Sequence, residues 1–197
     1  MITRLLDIFF SLFFILLFSP IILIVLIINS FDGSPIFKQE RLGINGKVIQ
    51  IFKFRSMKLN AEEILKNDKE LYNLYLSNNF KIPSKKDPRI TKFGQFIRKT
   101  SIDELPQFFN VLFGSMSIVG PRPIVPSELN NYKPYEKKFL SVKPGITGLW
   151  QISGRSKLIN QSRINLDLEY IDRKSLFFDL KILFLTPIKI FTRDGAF

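Results

Sequence analysis

The 197-residue chain contains no cysteine and no histidine. The first absence excludes disulfides, thiolate nucleophiles and cysteine-held metals. The second excludes an imidazole base, and with it hydrolases that depend on one and zinc sites held by histidine. Any catalysis must therefore rest on carboxylates, hydroxyls, Lys, Tyr or Arg. Acidic residues are scarce too: 17 Asp and Glu against 29 Lys and Arg leave a net charge of +12. That balance points to an anionic partner, whether phospholipid, nucleic acid or a phosphorylated substrate. The length suffices for one domain with a real core plus an appendage.

What the chain has in excess is a greasy run near its start. Ile8 to Ile28 is interrupted only by Ser11, Ser19 and Pro20. As a helix it is about 31 Å long, enough to cross a bilayer. A signal peptide is the competing reading. Its charged n-region is thin, Arg4 followed by Asp7, and "NSFDGS" offers no small-residue cleavage site, so the segment reads as retained. Pro20 deprives the Leu16 carbonyl of its usual donor, and the Ser19 hydroxyl can bond back to a nearby carbonyl. On these residues alone, a proline-kinked span and a helix that turns back both fit.

The chain divides into this membrane segment, 1–30, and a domain over 31–197. Residues 36–57 predict a β-hairpin around Asn45-Gly46, with Ile51, Lys53 and Arg55 on one face of the second strand. Apolar spacing predicts a helix over 61–78. The basic loop "KIPSKKDPRITKFG" leads to a short helix at 95–99, and Leu105, Phe108, Phe109 and Leu112 mark another. Two Gly/Pro-rich loops, "GSMSIVGPRPIVP" and "VKPGITGLWQISGR", flank a helix near 127–140. A helix near 161–174 precedes "SLFFDLKILFLTPIKIF". That last stretch fits either an amphipathic helix lying in a membrane interface or a core helix of the domain.

The adjacent carboxylates Asp103 and Glu104 are the first candidates for chemistry. Ser101-x-x-Glu104 fits a helix-capping box, but Pro106 then falls where its missing N–H is needed. A helix starting nearer Asp103 removes the conflict and favours the ionised form at the positive helix end. An ionised carboxylate beside basic groups can act as a nucleophile or a Mg²⁺ ligand. The basic candidates are Lys53 on the hairpin, Arg98, Arg122 braced between Pro121 and Pro123, and Arg155 closing "ISGR". Arginine offers a rigid fork for phosphate oxygens. Asp167 in "INLDLEYID" is a further carboxylate, read by pattern as an exposed helix residue. A non-catalytic, membrane-anchored basic protein that binds anionic lipid or nucleic acid stays open on charge. The scatter of basic residues among Gly/Pro loops, rather than along one stripe, speaks against it.

Taken in order, "FSP", "FKQERLG", "KFRSM", "DPRITKFGQFIRKTSIDELPQFFNVLFGSMSIVGPRP", "KPGITGLWQISGR" and "LDLEYI…DLKILF" resemble the bacterial sugar transferases. These are monotopic phosphoglycosyl transferases that initiate glycan assembly on a polyprenyl carrier. The resemblance implies an α+β chain: a re-entrant membrane helix broken at Ser19-Pro20, a β-hairpin, and a mostly helical catalytic domain with amphipathic interfacial helices. It implies transfer of a sugar 1-phosphate from a UDP-sugar to polyprenyl phosphate, with release of UMP, Mg²⁺ as cofactor and a ping-pong course. Asp103 is implied as the nucleophile, Glu104 as its support, and Lys53, Arg98, Arg122 and Arg155 as phosphate contacts. Asp103 and Asp167 are implied near the metal. The implied place is the cytoplasmic face of the bacterial inner membrane, in contact with phospholipid and with no nucleic-acid partner.

Overall fold

The computed structural model describes residues 2–77, 82–83, 86–154 and 160–191. It is a helix-dominated α+β structure with an apolar N-terminal helix and two small two-stranded sheets. Helix α1, Ile2–Ser30, runs through Pro20 as one helix, without the break expected there. The Ser19 hydroxyl donates to the Leu16 carbonyl at 2.8 Å. It thereby supplies the bond that Pro20 cannot, which lets the helix continue in an apolar setting. Among the described residues α1 is the one helix long and apolar enough to cross a membrane. Only 11% of its most apolar stretch is buried, which separates it from a soluble core helix.

Helix α1 nonetheless lies lengthwise on the domain. Its buried positions Asp7, Ser11, Ile22, Val25 and Asn29 follow helical spacing down one side. Arg4 donates to the Val111 and Leu112 carbonyls, a cation on the last turn of helix α5, Gln107–Phe113. Asp7 accepts from the Ser117 hydroxyl at 2.9 Å and the Ile118 N–H at 2.9 Å. Phe14 meets Phe108 with ring centres 5.2 Å apart. At the far end Asn29 donates to the Arg55 carbonyl at 2.9 Å. The opposite side, including Phe9, Leu16, Leu23 and Ile27, is exposed.

The hairpin forms as predicted. Strand β1, Ile36–Leu42, pairs antiparallel with β2, Val48–Phe54, and both Asn45 and Gly46 take positive φ in the turn. The predicted helix over 61–78 is instead two, α2 (Ala61–Asn67) and α3 (Lys69–Ser77). Asp68 breaks it: extended itself, it accepts the Leu71 N–H at 2.9 Å and starts a new helix. Helix α4, Lys92–Lys99, begins earlier than expected because the Thr91 hydroxyl caps the Gly94 N–H at 2.8 Å.

The two Gly/Pro loops hold a parallel pair, β3 (Ser117–Val119) and β4 (Gly145–Thr147). Here Gly120, Gly145 and Gly148 lie backbone against backbone. A Cβ on Gly145 would sit 2.1 Å from the Gly120 nitrogen, and one on Gly148 would sit 2.2 Å from the Gly120 oxygen. The expected helix near 127–140 is a 3₁₀ stretch, Pro126–Tyr132, followed by α6, Glu136–Phe139. Helices α7 (Leu149–Ser153), α8 (Asn160–Arg173) and α9 (Leu176–Phe191) follow among the described residues. The main core joins Ile51, Val111, Met116, Val119, Tyr170 and Ile182. Helix α9 buries Ile182 there, while Phe177, Phe184 and Ile188 stay exposed beside Lys181.

Candidate active site

Three elements bring the predicted carboxylates to basic partners. Strand β2 presents Lys53, whose ammonium lies 2.8 Å from a Glu104 carboxylate oxygen. The strand is held by Asn110 of α5. Its side-chain oxygen accepts the Phe52 N–H at 2.8 Å, and its amide donates to the Gln50 carbonyl at 2.7 Å. Helix α4 presses on the end of β2 at Gly94, where a Cβ would lie 1.9 Å from the Ser56 oxygen. That close approach lets Arg98 donate to the Ser56 hydroxyl at 2.8 Å.

Between α4 and α5 the chain reverses at Ser101, a non-glycine residue with φ of 58°. Its side chain caps nothing, so the capping-box reading does not hold. Asp103 and Glu104 instead form a 3₁₀ turn, Ile102–Glu104, and α5 starts after Pro106. The proline is thus where its missing N–H costs no helix bond. Burial, with Glu104 beside it, pushes the Asp103 pKa up to about 6, against the pull of Lys53 and Arg98. Asp103 is still mostly ionised at neutral pH, and more basic than an ordinary carboxylate. Burial lowers the Arg98 pKa, opposed by the charge of Asp103, and a guanidinium so placed keeps its proton.

Glu104 and Lys53 open onto a shallow cleft lined also by Ile51, Gln107, Arg41, Arg122 and Gln151. Arg122 stands there because the crossing of Gly120 and Gly145 fixes the loop that carries it. Gly145 donates to the Pro121 carbonyl and Gly120 to the Thr147 carbonyl, each at 2.9 Å. Its guanidinium lies 5.3 Å from the centre of the Trp150 ring. Arg41, on β1, drops to a pKa of about 10 through burial first and the nearby Arg122 second.

Asp167 is not the exposed residue its sequence pattern indicates. Its carboxylate is buried, accepts the Tyr132 hydroxyl at 2.8 Å, and is not part of the cleft wall. Burial pushes its pKa up to about 7, while Tyr132, Arg163 and the backbone N–H of Arg122 favour its ionised form. It therefore stands behind Arg122. Arg155 lies outside the described residues. The structure thus gathers Lys53, Arg98, Asp103, Glu104 and Arg122 around one region and sets Asp167 one layer deeper. Arg41, Gln107, Asn110 and Gln151 also belong to the site, although no motif marks them as site residues in the sequence. The residue opposite Arg41 in the hairpin is Ile49, in phase with Ile51 and Lys53, so strand alternation was the signal that could have found Arg41.

A part-buried acid pair beside Lys and Arg, on a domain backed by an apolar helix, is an arrangement consistent with an enzyme of phosphorylated substrates associated with a membrane. Comparison with known proteins makes that class specific. The family described as bacterial sugar transferase matches residues 1–193. The galactosyl transferase CpsE of Streptococcus agalactiae serotype III is 50% identical over 167 residues, covering 84% of this chain and 36% of its own length. The UDP-glucose:undecaprenyl-phosphate glucose-1-phosphate transferase of Klebsiella pneumoniae is 42% identical over 204 residues, covering 98% of this chain and 41% of its own. The exopolysaccharide production protein ExoY of Rhizobium meliloti is 38% identical over 189 residues, covering 93% and 82%. The chain belongs to the bacterial sugar transferase family. It spans about two-fifths or less of the first two of these relatives.

Proposed function

We propose that the chain moves a sugar 1-phosphate from a UDP-sugar to polyprenyl phosphate at a membrane surface, giving polyprenyl-diphosphate-sugar and UMP. The observation that carries this reading is the Asp103-Glu104 turn set against Lys53 and Arg98, at the edge of a cleft that Arg41 and Arg122 also line. In the first half-reaction an Asp103 oxygen bonds to the sugar-bearing phosphorus. The bond from that phosphorus to the bridging oxygen breaks, and UMP leaves with the electron pair. In the second, a polyprenyl phosphate oxygen displaces the Asp103 carboxylate. Phosphoryl transfer of this kind needs positioning and charge neutralisation rather than an imidazole or thiol. Lys53 holds Glu104 and adds positive charge beside the reacting phosphate. Arg98, bonded to Ser56, adds positive charge from α4.

Mg²⁺ fits this donor set. It is commonly held by one or two carboxylates together with substrate phosphates, and Asp103 and Glu104 are adjacent. Among the described residues no three acidic side chains cluster as a metal cage, so the substrate's phosphates would complete the coordination. The ion would supply charge neutralisation on the phosphate oxygens. In this reading Asp167 acts from behind Arg122, its carboxylate charge felt across that short distance, and Arg155 keeps the phosphate-contact role that the family pattern implies.

The same reading gives α1 a re-entrant course in the inner membrane, with the domain on the cytoplasmic face and phospholipid against the exposed side of α1. Polar anchors at both ends support it: Arg4 and Asp7 at one, Asn29 at the other, all bonded to one domain. A span leaving the domain for the far side of the bilayer would take one of those ends off it. Lys38 and Arg41, shortly after α1, suit a cytoplasmic domain.

The decisive experiment incubates the protein with UDP-sugar and Mg²⁺ in the absence of polyprenyl phosphate. Intact-protein mass spectrometry should show one added hexose-phosphate on the native chain and none on Asp103→Asn, with UMP released in step. Substantial turnover by Asp103→Asn, or an adduct on another residue, overturns the assignment.

A further inference from the structure

The cleft has a second pole that the chemistry at Asp103 leaves unexplained. Arg41 and Arg122 line the same cleft, close enough for the charge of Arg122 to add to burial in lowering the Arg41 pKa. Among the described residues neither forms an ion pair within 4 Å; the neighbouring Arg163 takes Glu128, at 3.4 Å. The Arg41 guanidinium donates through one terminal nitrogen to the Gln39 side chain at 2.8 Å, while its Nε is buried without a partner. A buried donor with nothing to bond, beside a second cation, is a costly arrangement unless an anion joins them. The protein has also stiffened both arms. Arg41 sits on a paired strand, and Arg122 sits between two prolines with Trp150 beneath its guanidinium. Arg41 shares a hairpin face with Lys53, four residues apart in register, or about 13 Å along the strand. The two poles line one cleft together with Ile51, which lies between them on the hairpin.

We propose that Arg41 and Arg122 together seat the phosphate that leaves with the nucleotide, while Lys53 and Arg98 serve the phosphate that Asp103 attacks. The inference rests on the reading of the site as a UDP-sugar transferase and adds a residue and a division of labour to it. Arg41 is then a binding residue for UMP. Its guanidinium has donors to spare beyond the one spent on Gln39, and its planar fork suits phosphate oxygens in a way that lysine cannot copy. Asp167, one layer behind, is held by the Tyr132 hydroxyl and sets a carboxylate near Arg122.

The test measures binding of UMP and of uridine to the detergent-solubilised full chain by calorimetry, for the native protein, Arg41→Lys and Arg122→Lys. Each variant should weaken UMP by about tenfold or more and leave uridine unchanged, since uridine lacks the phosphate. The double variant should lose less than the product of the two single losses, because both arms hold one group. Unchanged UMP affinity in Arg41→Lys overturns the inference, and so does equal weakening of UMP and uridine, which marks a merely structural role. A measurement on the unmutated chain stands if a variant does not fold. Saturating UMP, but not uridine, should slow phenylglyoxal modification of Arg41, mapped by peptide mass; equal rates with both overturn the inference. Native protein that releases UMP from UDP-sugars but shows no Arg41 effect defeats this inference alone. Native protein that neither binds nor releases UMP defeats the proposed function as well.

Discussion

Asn110→Ala tests whether one side chain fixes the strand that carries Lys53. The Asn110 side chain is buried and joins two backbone groups of β2: it accepts from Phe52 N–H and donates to the Gln50 carbonyl. Each buried group left without a partner costs about 1–3 kcal/mol. The Gln50 carbonyl belongs to an exposed residue, so water can take over there, whereas the Phe52 N–H is part-buried. A total loss of about 2–4 kcal/mol follows, nearer the lower end if water enters fully. The local share at Phe52, about 2 kcal/mol, corresponds to roughly 30-fold faster amide exchange. Hydrogen–deuterium exchange of the peptide spanning 48–54, in the detergent-solubilised full chain, measures it directly. Because Lys53 follows Phe52, kcat/KM should fall in parallel. Asn110→Asp is the control: it keeps an acceptor for Phe52 but sets an oxygen against the Gln50 carbonyl, so protection at Phe52 should largely survive. Unchanged exchange across 48–54 in Asn110→Ala refutes the claim that Asn110 holds the strand.

Two further outcomes follow from the site and from α1. Single-turnover UMP release should rise with pH through about 6, since Asp103 must lose its proton to attack; Glu104→Gln removes a like charge that raises this pKa, so the midpoint should move to lower pH, and a midpoint that stays put or rises defeats the account. With Ile2→Cys as the one thiol in an otherwise native chain, a membrane-impermeant maleimide should not label intact spheroplasts, and labelling defeats the re-entrant course.

What the sequence made legible tracks how local the cause is. The hairpin turn was readable because Asn45-Gly46 is a short-range signal for positive φ. The Leu16 carbonyl left by Pro20 was readable from covalent geometry, and Ser19 does bond it. The helix over 61–78 was misjudged because the apolar spacing carries across Asp68, and the side-chain bond that restarts the helix competes with it. The β3–β4 pair escaped notice because each strand has three residues, too few for alternation to register. Its real signature is glycine where backbones touch. Asp167 was misplaced for a related reason. The inner side of α8 runs through Arg163, Ile164, Asp167 and Tyr170, and a search for apolar periodicity counts two of those four as solvent-facing. The Asp103-Glu104 pair was visible as chemistry, but its 3₁₀ turn depends on Ser101 in a left-handed conformation that no residue type there announces.

The cleft and α1 are two sides of the same thin layer of chain. Lys53 faces Glu104 while its neighbour Phe54 packs against Ile22 and Val25 of α1. Arg98 reaches Ser56 while Ile97 joins the same α1 cluster. Asp103 and Glu104 are bracketed by Ile102 and Leu105, which pack there too. In each case adjacent residues divide between the apolar helix and the charged site, so the packing of α1 sets the positions of the groups that do the chemistry. Truncating the docked side should therefore disturb catalysis, and truncating the exposed side should not. Val25 is 3% exposed and Leu23 is 61% exposed. Val25→Ala removes two buried methyl carbons, at about 0.8 kcal/mol each before any cavity cost, and frees Phe54 and Ile97 to shift. A displacement near 1 Å at the reacting groups is enough to cost about a hundredfold in rate, so even partial transmission should lower kcat several-fold. Leu23→Ala, made in the same membrane and at matched protein levels, should leave kcat unchanged. Equal effects from the two substitutions would mean that α1 serves as an anchor alone and that the site keeps its geometry without it.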